Sequence, residues 1–139
     1  MSGPDDVPPD LLAPVRAACL ALPEVREEAA WEGVRWQVRR RTFAHLLTIV
    51  GGRPQAFARA AGTDGPVTVL MLRSSGPELE VLRAGGPPFF PAPWGPDVVG
   101  MVLGPSVDWA EVGELVTESF LVRAPRALRE AVERLLPGE

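Results

Sequence analysis

The chain has 139 residues, of which 46% are hydrophobic and 23% are charged, and its formal net charge at pH 7 is −4. This is the length of one domain with an ordinary globular composition, so disordered, collagen-like and coiled-coil classes are excluded. All 14 basic residues are Arg and there is one Cys, which excludes chemistry that depends on Lys and any disulfide within the chain.

The first nine residues are polar, acidic and rich in Pro, and we predict a flexible tail over residues 1–9 and a single domain over residues 10–139. The start of the chain lacks the basic and apolar regions of a signal peptide, and no apolar stretch approaches the roughly 18–20 residues of a membrane-spanning helix. We therefore expect a cytoplasmic protein that does not enter a membrane.

The first predicted element is a helix over about residues 10–22. Asp10 is expected to cap this helix, and Pro14 is expected to be tolerated in its first turn. Apolar residues then recur at spacings of three and four, which places one stripe toward the core. These residues are Leu12, Val15, Cys19 and Leu22.

A β-hairpin follows, after a possible short strand at residues 25–30. Apolar and polar residues alternate over residues 34–38, which is the period of a half-buried strand. Residues 42–50 are apolar and β-prone, and Arg39-Arg40-Arg41 lies between the two runs as the predicted turn. On the second strand, His45 is predicted to share a face with Phe43 and with Leu47 and Ile49.

The second half of the chain is predicted from turn residues and from helix-capping patterns. Its elements are a helix over 54–61, a strand over 67–72, a helix capped by Ser75 up to about 84, a loop without regular structure over 85–96, a strand over 98–103, a helix over 109–122 capped by Asp108, and a last helix opened by Pro125 with Leu128, Val132 and Leu135 facing inward. Strands and helices that are segregated in this way predict an α+β domain with an antiparallel sheet, backed on one face by helices that bury one core.

Four short motifs follow one another along the chain: Leu22-Pro23-Glu24, Arg35-Trp36-Gln37-Val38, Arg41-Thr42-Phe43-Ala44 and Ser119-Phe120-Leu121-Val122. In their order and spacing they resemble the MmcQ/YjbR family, in which Lys is usual at the position of Arg41, and the similarity extends over about residues 10–128. The resemblance implies a frataxin-like (CyaY-like) α+β fold. It also implies a mostly uncharacterised family that is described as DNA-binding, with a double-wing arrangement.

The basic hairpin is the candidate nucleic-acid site, through Arg35, Arg39, Arg40 and Arg41. Guanidinium groups that point to several sides of a turn suit contacts with a DNA phosphate backbone better than the reading of bases. Two alternatives remain open: the turn is simply solvated, or nearby Glu residues neutralise it.

Aromatic residues form a second candidate site in the Pro-rich loop 85–96. A small ligand or a protein partner is the alternative function, with Trp36, Phe89, Phe90 and Trp94 as the possible pocket. The competing interpretation is that these rings cover the open end of the core.

No catalytic residue, metal ligand set or cofactor site can be named, and the protein is expected not to be an enzyme. His45 is the single His, and both it and Cys19 fall in apolar patterns that are typical of buried residues. The first helix has no acidic ridge after Asp10 that would bind iron as in frataxins. Ser119 is expected to hydrogen bond to the backbone of its own helix.

Overall fold

The structure, a computed structural model, describes residues 6–136; residues 1–5 and 137–139, including most of the predicted tail, lie outside the described part. Val7, near the end of the predicted tail, is buried against the core. The elements in chain order are α1 (Pro9–Leu20), β1 (Val25–Ala29), β2 (Val34–Val38), β3 (Arg41–Ile49), α2 (Gln55–Ala61), β4 (Val67–Arg73), α3 (Gly76–Ala84), β5 (Phe89–Pro91), β6 (Val98–Leu103), α4 (Trp109–Arg123) and α5 (Arg126–Leu135).

The six strands form one sheet in the order β1-β2-β3-β4-β6-β5, and every neighbouring pair is antiparallel. The predicted α+β single domain with an antiparallel sheet is therefore confirmed, as is the strand near residues 25–30. The turn between β2 and β3, the end of β4 and the start of β6 lie at one end of the sheet, because Val38 pairs with Arg41 and Arg73 pairs with Val98. We call this the turn end.

The loop predicted over residues 85–96 contains a strand, so the expectation that it has no regular element was wrong. Phe89–Pro91 forms β5 at the edge of the sheet and pairs only with β6. Pro91 is compatible with this position because an edge strand needs hydrogen bonds on one side only. The Pro and Gly content of this segment does not predict a strand, because β5 forms through its pairing with β6.

The sheet buries two clusters, not the single core that was predicted. Side chains alternate between the faces of β3, β4 and β6, and Leu70 belongs to one cluster whereas its neighbour Val69 belongs to the other. The larger cluster packs against α1, α4 and α5. The smaller cluster is covered by Phe57 and Ala58 of α2 and by Phe90 and Ala92 of the Pro-rich loop.

A β-bulge changes which face His45 occupies. The register between β2 and β3 shifts at Trp36 and Gln37, which face Ala44 and Thr42 and leave Phe43 as the extra residue. Phe43 consequently packs in the larger cluster with Ala44. The prediction that His45 shares a face with Phe43 was wrong, because the bulge breaks the alternation of side chains between them.

The helix ends agree with the predicted capping at one position and differ at two others. Asp108 accepts hydrogen bonds from the backbone N–H groups of Ala110 and Glu111 and caps α4 as predicted. Asp10 and Ser75 make no side-chain capping bond, since Pro8 precedes α1 at its N-cap and the Ser75 side chain does not reach α3. Pro14 lies in the second turn of α1, not the first, and its ring removes one helical hydrogen bond.

The last helix turns Val132 into the core as predicted, with Leu128 partly buried against it. Leu135, which was also predicted to face inward, is 85% exposed because it lies at the final residue of α5, beyond the packed part of the helix.

Candidate nucleic-acid interface

The turn was predicted over Arg39-Arg40-Arg41; in the structure it consists of Arg39 and Arg40 alone, because Arg41 is the first residue of β3. Both turn residues have positive φ angles, 49° for Arg39 and 68° for Arg40. A two-residue hairpin with two positive φ angles is the type I′ geometry, which Asn and Gly adopt at low cost. Two Arg residues in this turn therefore occupy backbone conformations that cost free energy for side chains of their size.

Two of the four predicted Arg residues are neutralised by Glu residues, one in β1 and one just before it. Glu28 lies directly opposite Arg35 in the sheet register and accepts hydrogen bonds from its guanidinium group. Glu24 accepts from Nε and Nη2 of Arg39 at 2.7 and 3.2 Å, and the Arg39 bond is the main cause of a lowered pKa of Glu24. The alternative in which Glu residues neutralise the cluster is thus realised for half of it.

The other two, Arg40 and Arg41, are exposed and carry the free positive charge of the hairpin. Within residues 6–136, neither side chain makes a hydrogen bond or an ion pair. Their guanidinium groups are therefore available for a ligand with negative charge.

Two further Arg residues, outside the four predicted for the site, extend the positive charge across the turn end. Arg73, the last residue of β4, and Arg123, the last residue of α4, both approach Asp97, at 2.9 and 3.8 Å. Nε of Arg123 is buried and has no hydrogen-bond partner within residues 6–136. Burial, followed by the charge of Arg73, lowers the pKa of Arg123; Asp97 opposes this and Arg41 adds to it.

Ser119 holds α4 against this end of the sheet. Its hydroxyl group donates to the carbonyl oxygen of Phe43 and accepts from the backbone N–H of Arg73 at 2.7 Å. The predicted bond to the backbone of its own helix was wrong, because the bulge at Phe43 presents a carbonyl group to the helix. Arg123 is four residues further along α4 and therefore projects on the same side, beyond the strand ends.

A fifth cation supports the loop between β5 and β6. Nη1 of Arg83 donates to the carbonyl oxygens of Gly95 at 3.2 Å and Val98 at 2.7 Å. These two residues flank Asp97, so Arg83 helps to hold the acid that Arg73 and Arg123 share. The sequence gives no signal for this convergence, because the three Arg residues come from three different elements.

The aromatic residues predicted to form one pocket divide between the two faces of the sheet, which corrects that grouping. Trp36 is fully buried in the larger cluster, where its Nε1 donates to Glu27 at 3.0 Å, and Phe89 packs against the same cluster. Phe90 lies in the smaller cluster. Trp94 is 41% exposed and covers that side of the sheet.

Trp94 stacks on His45, with ring centroids 5.1 Å apart and an interplanar angle of 17°. Phe57 meets the Trp94 ring edge-on at 5.8 Å, and the guanidinium carbon of Arg73 lies 6.0 Å from the Trp94 centroid. Nε2 of His45 donates to the carbonyl oxygen of Glu32 at 2.6 Å, and burial lowers the pKa of His45. The ring of Trp94 therefore covers a neutral, buried imidazole.

Four surface clefts of this protein have volumes of about 450 to 830 Å³, and none of these four is lined by Trp36, Phe89, Phe90 or Trp94.

Other chemistry that the sequence left open finds no site in the described part of the chain either. Burial raises the pKa of the Cys19 thiol, which keeps it protonated. Among residues 6–136, no three His, Cys, Asp or Glu side chains converge in a way that could hold a metal ion. No helix in this described part is long and apolar enough to span a membrane.

Comparisons with known proteins agree with this fold. The family model of YjbR matches residues 20–122, which include all six strands, the turn end and nearly all of α4. A solved structure of a protein from Pseudomonas syringae matches with a TM-score of 0.62 and 16% sequence identity, over 84% of this chain and 99% of that one. At this identity the likeness shows the fold alone. No curated protein matches the chain.

Proposed function

The chain belongs to the YjbR family, and from that premise and the charges of the turn end we propose that it binds DNA through the phosphate backbone. Arg40 and Arg41 make the first contacts, and Arg73 and Arg123 extend them. The proposed binding has little sequence preference and involves no catalysis. DNA binding requires that the protein and DNA share a compartment, and the cytoplasmic location expected from the sequence meets that requirement.

The observation that carries this proposal is the absence of acidic partners for Arg40 and Arg41 within residues 6–136. Within residues 6–136, Arg73 and Arg123 both form their ion pairs with Asp97, so two cations share one acid and the turn end has an excess of positive charge in a chain whose net charge is −4. Phosphate groups bind Arg well because guanidinium N–H groups match their oxygens in pairs. The excess charge is therefore placed where a phosphate backbone could approach.

The backbone of the turn supports the same proposal. The positive φ angles of Arg39 and Arg40 are conformations that Gly adopts without strain, whereas an Arg there costs on the order of 1 kcal/mol. A residue that destabilises its own turn but carries a free positive charge is more easily explained by binding than by folding.

The test is DNA affinity at low salt, measured by fluorescence anisotropy with a labelled duplex. We expect the double variant Arg40→Glu/Arg41→Glu to bind at least about tenfold more weakly at about 50 mM salt. We also expect the slope of log affinity against log salt to become shallower by about two, one for each lost phosphate contact.

The matched control is Arg53→Glu/Arg59→Glu, which makes the same change in net charge at two exposed residues away from the turn end. If this control loses as much affinity as the turn variant, the binding depends on overall charge and the proposed interface is wrong. The absence of any binding by the unmodified chain at low salt would reject the proposal altogether.

The alternative function, binding of a small ligand or a protein partner through loop 85–96, has less support. One face of Trp94 is occupied by His45, and Phe90 and Phe89 pack on opposite faces of the sheet. These contacts favour the interpretation in which the rings cover the core. A thermal-shift response to a ligand panel that disappears in Trp94→Ala would favour the alternative.

A further inference from the structure

A groove with a volume of about 830 Å³ lies between α3 and α4; we call the apolar residues of its lining the floor and the Glu residues of its lining the rim. Its lining has four Glu residues, several apolar residues and no Arg. The lining residues are Glu78, Val81, Leu82, Ala110, Glu111, Gly113, Glu114, Leu115, Thr117, Glu118 and Leu136.

Among the described residues, the acids of this groove have no cationic partners. Within residues 6–136, the carboxylates of Glu78, Glu111, Glu114 and Glu118 form no ion pair and accept no hydrogen bond. Partial burial raises the pKa of Glu118, and the negative charges of Glu78 and Glu133 raise it further. The groove thus keeps like charges together, which a bound cation would stabilise.

The floor of the groove leaves apolar surface in contact with water. Val81 is 68% exposed and Leu136 is also exposed, while α3 has no buried residue at all. Exposed apolar surface that is bordered by charged residues is typical of an interaction site. The apolar floor requires an apolar surface on the partner, and the rim requires positive charge beside it.

We propose that this groove binds a basic amphipathic helix of a partner protein. Such a helix places an apolar stripe on the floor, while Lys and Arg residues on its flanks pair with the Glu rim. The lined part of α4 extends from Ala110 to Glu118, which is about 13 Å at the rise of an α-helix. A helix of at least about two and a half turns is needed to cover that length.

The probe is a labelled synthetic peptide of about 14 residues, with Leu at helical spacing on one face and Lys on the other. Its affinity is measured by fluorescence anisotropy at low salt. We expect saturable binding that weakens about tenfold in Glu114→Gln/Glu118→Gln, which removes two rim charges. A peptide with Glu in place of Lys is expected not to bind.

The control Asp10→Asn/Glu80→Gln removes the same charge from exposed residues outside the groove lining. It is expected to change the affinity less than about twofold. An equal loss in this control would mean that the peptide responds to net charge, which would overturn the proposal, as would binding without saturation.

A third variant, Val81→Ser, tests the apolar floor without changing any charge. Because the peptide loses an apolar contact with Val81, its affinity is expected to fall by about threefold or more. Unchanged affinity would contradict a helix seated on the floor of the groove. Urea unfolding of each variant gives a direct check that all of them are folded under the conditions of the assay.

Discussion

The turn end and the groove between α3 and α4 carry opposite charges, and they also differ in how those charges are balanced. At the turn end, Glu24 neutralises Arg39 and Asp97 is shared by Arg73 and Arg123, so part of the charge is paired. In the groove, the rim carboxylates have no partner within residues 6–136. A net charge of −4 therefore describes neither region, and the two regions suit partners of opposite charge.

The helix α4 connects the two regions. Glu114 and Glu118 belong to the groove, whereas Ser119 and Arg123 face the turn end. Glu118 is the last acid of the rim, and Ser119, the next residue, fixes the helix to the strand ends. Substitutions on α4 can therefore change one region and leave the other unchanged, and their effects are expected to differ in size.

The largest expected effect is that of Ser119→Ala. The substitution leaves the backbone N–H of Arg73 and the carbonyl oxygen of Phe43 without their buried partner, which costs about 2 kcal/mol of the free energy of unfolding. Urea denaturation measures this loss, and Thr117→Ala on the same helix is the control, with an expected cost below about 1 kcal/mol. Equal costs for the two variants would mean that Ser119 is not the anchor of the turn end.

This anchor also indicates how far the sequence could predict the structure. The hairpin around Arg39 and Arg40 and the cap at Asp108 follow from local patterns, since alternation and capping depend on neighbours in the chain. The partner of Ser119 does not, because Phe43 presents its carbonyl group only through a bulge that forms when β2 and β3 pair.

The candidate interface was likewise predictable only in part. The free charge of Arg40 and Arg41 lies within the cluster that the sequence indicated. The ion pairs of Arg35 and Arg39 depend on the register of β1, and the convergence of Arg73 and Arg123 on Asp97 depends on the strand order, neither of which has a local signal.

The next effect in size concerns pH and the ring stack beside the turn end. Burial lowers the pKa of His45 below its ordinary value of about 6.5, so the unfolded chain binds a proton more readily than the folded chain. The free energy of unfolding is therefore expected to fall by up to about 1 kcal/mol as the pH decreases from 7 to 5.5. A proton on His45 would also place positive charge under Trp94 and Arg73.

The control for this pH effect is His45→Phe, which keeps a ring beneath Trp94 but has no titrating group. Since His45 is the single His of the chain, the difference between the two pH profiles isolates its contribution. Parallel profiles over this range would contradict the assignment of a neutral, buried imidazole.

A smaller change in stability is expected for Arg40→Gly. Gly relieves the positive φ angle, and its larger entropy in the unfolded chain offsets part of the gain, so stability should rise by about 0.5 kcal/mol. DNA affinity should fall in the same variant, because one free guanidinium group is lost. A variant that is more stable and still binds DNA as tightly would separate the strain of the turn from its proposed function.

The smallest expected effect is that of Glu118→Gln, in the groove. Removing one of several neighbouring carboxylates should stabilise the fold by about 0.3 kcal/mol, since the side chain is mostly exposed and its repulsion is screened. Thermal unfolding at low and high salt measures this gain, which should shrink at high salt. A loss of stability would mean that Glu118 has a favourable interaction within the fold.

The most direct test of the central claim is a titration of the ¹⁵N-labelled chain with a short DNA duplex, followed by amide chemical shifts. We predict salt-sensitive shifts at Arg40, Arg41, Arg73 and Arg123, and unchanged amides at Glu114 in the groove. Shifts that are absent at low salt, or that are as large in the groove as at the turn end, would contradict the assignment of DNA binding to the turn end.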